Sequence, residues 1–491
     1  VSLQFCSLGS SMMLSAWDDA LAYIHVTASA EASAVFETVQ NDAREEASAA
    51  GPDATTACTE AVDAAAGAAA SFAARGSCSD EAGKALSALH EVVWGRIHSQ
   101  AKAGPAAADA ESMLRPWREV FAVCSLMRCV VATETFSCKS IKAKQEEAAQ
   151  VACEELESQA VDWLKIVDLG LIISGPDARA SPVLFAVAEQ IAACLAKGSL
   201  AARSSQTHKR RRIAHEGDVP AVQPLAVRQG DAPRIRRPLL EVPRGQPLNL
   251  EDFLLHHFSV RLPVVVRGAC ASWPAVQRWD NVAFWREGPV GCRFVPVEMD
   301  YWCDNGHDLM TIRDFVDHCL AAEARAEPAP GLSGGGYLAQ HTLLDQVPSL
   351  AADVFTPAIA HCGPDGHLQR QVFFGPKGTV TPIHFDPYEN ALCQVVGRKY
   401  VRLYPPSESS KVYARETSDP LRNNSTIEPA DIVLGEACGA YGGASGRFAK
   451  ILEAEFLEVV LEPGDMLYLP LGWWHFVKSL STSISLAFHF R

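Results

Sequence analysis

Residues 381–390 read Thr-Pro-Ile-His-Phe-Asp-Pro-Tyr-Glu-Asn. Val380-Thr381-Pro382-Ile383-His384 is one of several short apolar runs separated by Gly/Pro turns, the pattern of a strand. On a strand, side chains two residues apart project to the same face, so His384 and Asp386 can converge on one point. A lone His-x-Asp is common, so the rest of the chain has to supply a reason to read it as a site. The candidate third group is His475, in Glu462-Pro-Gly-Asp-Met-Leu-Tyr-Leu-Pro-Leu-Gly-Trp-Trp-His475. There a Pro-Gly-Asp turn is expected to launch a short apolar strand ending at the histidine. Two neutral imidazoles and one carboxylate are the ligand set of a non-haem iron(II) centre.

Working outward, Lys399 lies within Gln394-Val-Val-Gly-Arg-Lys-Tyr-Val-Arg-Leu-Tyr404, an alternating strand pattern. Lysine is almost never buried without an anionic partner. A dicarboxylate cosubstrate supplies one: its distal carboxylate pairs with the ammonium while its 2-oxo acid end chelates the metal. Further strands are expected at Pro263-Val-Val-Val-Arg267 and Tyr400-Val-Arg-Leu-Tyr404, and a helix over Ile312 to Leu320. Many short strands with turn punctuation over some 250 residues indicate a sandwich or jelly roll.

The chain of 491 residues is too long for one ordinary core, and two folded domains with a connector are expected. Hydrophobic residues at 48% and charged residues at 21% place it among globular chains. A net charge of -15 argues against wholesale binding to nucleic acid or anionic lipid. The 15 cysteines include no Cys-x-x-Cys pair, and the closest, Cys124 and Cys129, have no zinc-site spacing. Scattered cysteines without a framework fit a reducing compartment, nuclear or cytoplasmic. No stretch approaches the length of a membrane span. Val1 to Ala16 lack the basic start of a signal peptide, and the natural start is expected upstream or at Met12 or Met13.

Three segments follow from the composition. Residues 1–200 are alanine-rich with helical periodicity, as at Leu86, Leu89, Val93 and Ile97 and at Trp117, Val120, Phe121, Cys124, Met127 and Val131. They read as an all-helical packing or interaction domain. Residues 201–238 carry nine Lys/Arg against three acids and read as a basic flexible linker. Its run Lys209 to Arg212 serves as a nuclear-import signal or a polyanion contact, or simply as solvated linker. Residues 239–491 form the β-rich domain, giving an α+β multidomain chain.

The β-rich half resembles the JmjC oxygenases, within them the lysine-specific demethylase 8 (JmjC-domain-containing protein 5) subgroup. The resemblance rests on Gly336-Tyr-Leu-Ala-Gln-His341, Phe374-Gly-Pro-Lys-Gly-Thr379, Thr381-Pro-Ile-His-Phe-Asp-Pro387, Gly397-Arg-Lys-Tyr400, and Pro470 with Trp474-His475. It continues upstream through Pro263-Val-Val-Val-Arg-Gly268, Trp273-Pro274 and Val295-Pro-Val-Glu298. Trp94 and Trp117-Arg118 faintly resemble that subgroup's helical domain.

The resemblance implies a double-stranded β-helix (the jelly-roll or cupin-like JmjC fold) with decorating helices. It implies iron(II) on His384, Asp386 and His475, with 2-oxoglutarate held by Tyr337, Thr381, Asn390 and Lys399, and oxygen as co-reactant. It further implies Gln340 and Phe373 lining a substrate pocket and Glu298 facing a cationic side chain. The chain departs from the family near its end, where Phe488-His489-Phe490 puts a histidine in the place of one of two aromatic residues. The implied activity is hydroxylation of arginine or lysine, or demethylation of N-methyl-lysine, on a histone or other basic protein. Neither membrane association nor sequence-specific nucleic-acid binding is expected. The competing reading is a catalytically inactive cupin-like scaffold that recruits partners through its helical domain.

Overall fold

The computed structural model describes residues 20, 86–87, 90, 93–94, 118–130, 132–133, 146–210, 225, 233–299, 307–320, 336–419, 421–427 and 448–491. The chain divides into two units, Val1–Val219 with Glu287–Val295, and Pro220–Arg286 with Pro296–Arg491. In the first, the described residues before Gly175 are helical. Helix α1 (Glu146–Ser174) buries Leu156, Ala160, Trp163, Leu164, Val167 and Leu171 at three- and four-residue steps. That spacing is one stripe of an α-helix. The helix ends where Gly175 turns to φ +78° and its N–H bonds Leu171 O at 3.0 Å, a left-handed cap that glycine adopts without steric cost. Helix α2 (Ser181–Arg210) runs ten residues into the segment expected to be linker. Leu86, Val93, Val120, Phe121, Cys124 and Met127 are buried, as their periodicity requires; Leu89, Ile97, Trp117 and Val131 lie outside the described residues.

One buried charge pair was not legible in that helical pattern. Asp168, on α1, accepts from Arg293 Nη2 at 2.6 Å, Arg293 Nε at 2.9 Å and the Phe294 N–H at 2.8 Å. Three charge-assisted bonds are what make a fully buried carboxylate tolerable.

The second unit carries strands β1 (Glu241–Val242), β2 (Val264–Val266), β3 (Phe294–Glu298, whose first two residues belong to the first unit), β4 (His307–Thr311) and β5 (Leu338–His341). They continue as β6 (Leu368–Gly375), β7 (Val380–His384), β8 (Glu389–Val396), β9 (Lys399–Tyr404) and β10 (Leu457–Leu461). The last are β11 (Met466–Leu469), β12 (Trp474–Ser479) and β13 (Ser483–Phe490). Seven form a sheet in the order β1-β2-β11-β8-β13-β6-β5, and four form another in the order β10-β9-β12-β7. Apart from the parallel β1–β2 pair, their strand pairings are antiparallel.

The two sheets share one interior. Val401 and Leu403 of β9, Val459 and Leu461 of β10 and Val477 of β12 pack with Val265, Leu392, Leu467, Leu469 and Ala487 of the larger sheet. The alternate residues of the smaller sheet, Tyr400, Tyr404, Trp474 and Phe476, pack on its outer side with Ile383 and Phe448. This alternation fixes which side chains reach the space between the sheets. Lys399, in phase with Val401 and Leu403, is among them.

The Pro-Gly-Asp turn departs from the sequence expectation. It launches β11, but that strand ends at Leu469, and His475 is the second residue of β12, in the other sheet. The break is physical: Pro470 cannot extend the ladder, and Gly472 turns at φ +82°.

Candidate metal centre

Strand β7 lies at the edge of the four-stranded sheet, the place where a mid-strand proline such as Pro382 costs no ladder bond. Its last residue, His384, pairs directly with His475 of β12. Between His475 and Val477 the register shifts, so that Val477 faces Thr381. This bulge places two residues of β7 opposite one of β12. Thr381 and His384, three apart and expected on opposite faces by simple alternation, therefore both follow the interior phase of Val477 and His475.

Asp386 lies just beyond β7. There Phe385 N–H donates to Asn423 O at 2.9 Å, Asn423 Nδ2 donates to Phe385 O at 3.2 Å, and Gly472 N–H donates to Asp386 O at 3.3 Å. Donor atoms of His384, Asp386 and His475 all lie within 4.8 Å of one another. His384 Nε2 is 3.7 Å from Asp386 Oδ1, and His475 Nε2 is 3.7 Å from Asp386 Oδ2. The two imidazole rings are 4.1 Å apart.

The hydrogen bonds behind the rings set their tautomers. His384 Nδ1 lies 2.8 Å from Pro382 O, and His475 Nδ1 lies 3.0 Å from Trp473 O. A carbonyl only accepts, so each Nδ1 carries the proton and each Nε2 presents a lone pair toward Asp386. Burial, reinforced by neighbouring His384, pushes His475 down to about 4, so its ring is neutral near pH 7. Burial alone would raise Asp386; His489, His475 and His384 together outweigh it and hold the carboxyl well below its ordinary range. Two neutral nitrogen donors and one carboxylate oxygen, all converging, fit a divalent first-row metal.

Lys399 presents a different situation. It is 2% exposed, and its ammonium lies 5.8 Å from the ring centre of Tyr337 and 5.4 Å from that of Phe373. Among the described residues no carboxylate pairs with it. Burial pulls its pKa down to about 7. Aromatic faces attract a cation but do not replace its lost hydration.

The remaining expected residues are placed as follows. Tyr337 is buried and exchanges backbone hydrogen bonds of 2.8 and 2.9 Å with Glu298, which stands half-buried at the end of β3. Asn390 of β8 is buried, its Oδ1 has no hydrogen-bond partner, and it pairs across the sheet with His489. Gln340 is exposed at φ 50°, and no contact joins it to the three converging residues. His489 had been noticed only as a departure from a pattern, yet its Nε2 lies 3.4 Å from Asp386 Oδ2. The signal was available: Ser485, Ala487 and His489 alternate with Leu486, Phe488 and Phe490 along β13.

Eight cysteines are described with free thiols, and seven of them are buried. No described helix is long and apolar enough to cross a membrane.

Residues 303–491 match the family described as cupin-like domain. Over 252 residues the chain is 37% identical to lysine-specific demethylase JMJ30 of Arabidopsis thaliana, covering 50% of this chain and 54% of that protein. It is 35% identical over 266 residues to lysine-specific demethylase 8 of Danio rerio, covering 52% of this chain and 59% of that protein. It is 31% identical over 254 residues to Jumonji C domain-containing protein 5 of Drosophila melanogaster, covering 50% and 59% respectively. The match thus spans a little over half the length of these curated relatives. The C-terminal region thus matches a cupin-like domain over residues 303–491 and is similar, at 31–37% identity over half of the chain, to proteins named lysine-specific demethylase 8, JMJ30 and Jumonji C domain-containing protein 5.

Proposed function

We propose that residues 239–491 are an iron(II)- and 2-oxoglutarate-dependent dioxygenase on a double-stranded β-helix, acting on side chains of a histone or other basic protein. Residues 1–200 would be its helical domain, and residues 201–238 a basic linker. His384, Asp386 and His475 bind the metal in this reading. Iron(II), when bound there, supplies oxidation of a substrate C–H bond coupled to conversion of 2-oxoglutarate and oxygen into succinate and carbon dioxide.

The observation that carries the proposal is that a three-donor cluster and a buried lysine with no carboxylate partner among the described residues share one interior face. His475 pairs with Leu403, four residues along β9 from Lys399. At the rise of an extended strand that is roughly 13 Å. A lysine stem and a five-carbon dicarboxylate laid end to end bridge such a gap. Thr381 follows the same interior phase, and Tyr337 flanks the ammonium, as cosubstrate contacts should. Asn390 is assigned to the same anion's surroundings, where its amide N–H is the group able to donate to a carboxylate.

Protein substrates follow from the names of the relatives and from the carboxylate of Glu298 beside Tyr337. Gln340 and Phe373 are assigned to the wall of the substrate pocket. Nuclear and/or cytoplasmic action is assigned, nuclear entry being drawn from the basic run; its Lys209 and Arg210 end α2, while Arg211 and Arg212 lie outside the described residues. Two outcomes of the same oxidation are distinguished by mass. Attack on a methylene leaves a stable alcohol, and attack on an N-methyl group releases formaldehyde. Incubating the full chain, iron(II) and 2-oxoglutarate with arginine-bearing and N-methyl-lysine peptides tests this. A gain of one oxygen identifies a hydroxylase, loss of one methyl group identifies a demethylase, and no change in either peptide contradicts the substrate assignment.

A further inference from the structure

His489 sits on β13 between β8 and β6, paired with Asn390 on one side and Gln369 on the other. It is 5% exposed. Its ring stacks on Tyr388 at 5.9 Å and 24°. Tyr388 is in turn stacked on His367 and lies 5.7 Å from the Arg491 guanidinium, so the ring that His489 stacks on is itself held. Packed in this way the imidazole has little freedom to turn. Its Nε2 is fully buried with no close hydrogen-bond partner, and Asp386 Oδ2 lies 3.4 Å away. A buried ring nitrogen left unsatisfied is costly, so a group aimed at a carboxylate at this distance needs explaining.

The arrangement does not make His489 a fourth metal donor. The set of donor atoms within 4.8 Å of one another comprises His384, Asp386 and His475, without His489. What it reaches is the carboxylate oxygen on the side of His475, while Oδ1 faces His384. Metal-binding carboxylates commonly need such a partner, because a free carboxylate rotates and offers either oxygen or both.

We propose that His489 is a positioning residue for Asp386: its Nε2–H donates to Oδ2, fixes the carboxylate and leaves Oδ1 as the metal donor. The proposal rests on the reading of His384, Asp386 and His475 as a metal site. It gives a role to the histidine that stands where the resemblance calls for an aromatic ring. An aromatic side chain fills the same volume and stacks on Tyr388, but a purely hydrocarbon one has nothing to donate.

The experiment is titration of the full chain with cobalt(II) alone, followed by visible absorption, which reads both affinity and ligand geometry. His489→Phe keeps the stacking and removes the donor; His489→Gln keeps an N–H donor; His489→Met serves as the donorless variant should the Phe protein fail to fold. Losing a hydrogen bond to a metal ligand typically weakens metal affinity roughly 10–100-fold. The expected result is a loss of that size with an altered cobalt spectrum in the donorless variant, and recovery to within a few-fold of wild type in His489→Gln. Equal affinity and an unchanged spectrum in wild type and the donorless variant overturn the role of His489 and leave the metal site standing. Failure of the wild-type chain to bind cobalt removes the metal reading, and this proposal with it.

Discussion

Two places on the interior face of the four-stranded sheet pose opposite electrostatic problems. Where His384, Asp386 and His475 meet, each group is prepared by its neighbours. The imidazoles are held by backbone carbonyls in the tautomer that frees Nε2, and the carboxyl is held in its charged form. At Lys399 no carboxylate among the described residues answers the charge. The ammonium has two aromatic rings near it, and burial lowers its pKa to about 7. One place is short of a cation and the other of an anion. A metal and a dicarboxylate chelating it would satisfy both, and the variants below test that complementarity.

The largest effect belongs to the metal end. Replacing His384 or Asp386 with alanine removes one of only three protein donors, and metal binding and turnover should fall together by more than about a hundredfold. Circular dichroism should show the fold retained. An Asp386→Ala protein with normal turnover would break the assignment.

Lys399→Met comes next. A charge-assisted bond to a carboxylate contributes about 1.5–3 kcal/mol, so half-saturation by 2-oxoglutarate should rise roughly ten- to a hundredfold. Cobalt binding in the absence of 2-oxoglutarate should stay within a few-fold of wild type. If the two affinities fall in parallel, the two places are not separate sites.

The same lysine gives a pH signature. Only the ammonium form pairs with a carboxylate, and in the empty site that form is lost as pH rises through about 7. Above that pH the anion must bind together with a proton, so affinity should weaken by up to about tenfold per pH unit, until the pKa of the bound form is reached. Lys399→Met, uncharged throughout, should show a flat profile between pH 7 and 8.5. A slope that survives the substitution points to some other group.

The smallest effect is expected at Glu298. A half-exposed ion pair is worth up to about 1 kcal/mol, so Glu298→Gln should weaken a cationic peptide by roughly fivefold at most. Peptide-free succinate formation should be unchanged. Equal loss of both rates would mean that the Glu298 side chain supports the fold rather than facing the substrate.

How much of this could be read from the residues alone depended on whether plain strand alternation held. The buried Lys399 was legible because it sits where a two-residue period places it; His384 and Asp386 do converge, although Asp386 lies just past the end of β7 rather than on the strand. Thr381 was legible only through family resemblance, since the bulge opposite Val477 reverses the phase of β7. The route to His475 was misread because the apolar run from Met466 hides a change of sheet at Pro470 to Gly472. Asp168 was invisible for a related reason: its partners Arg293 and Phe294 are more than a hundred residues away, and nothing local marks the pairing.

In the proposed reading, one interior face activates iron with 2-oxoglutarate. That reading is tested most directly by succinate formation from 2-oxoglutarate by the purified full chain with iron(II), oxygen and ascorbate. The account predicts oxygen-dependent succinate from the wild-type chain, none from Asp386→Ala, and recovery of the Lys399→Met rate when 2-oxoglutarate is raised. Wild-type protein that binds iron yet forms no succinate, with or without a cationic peptide, would contradict it.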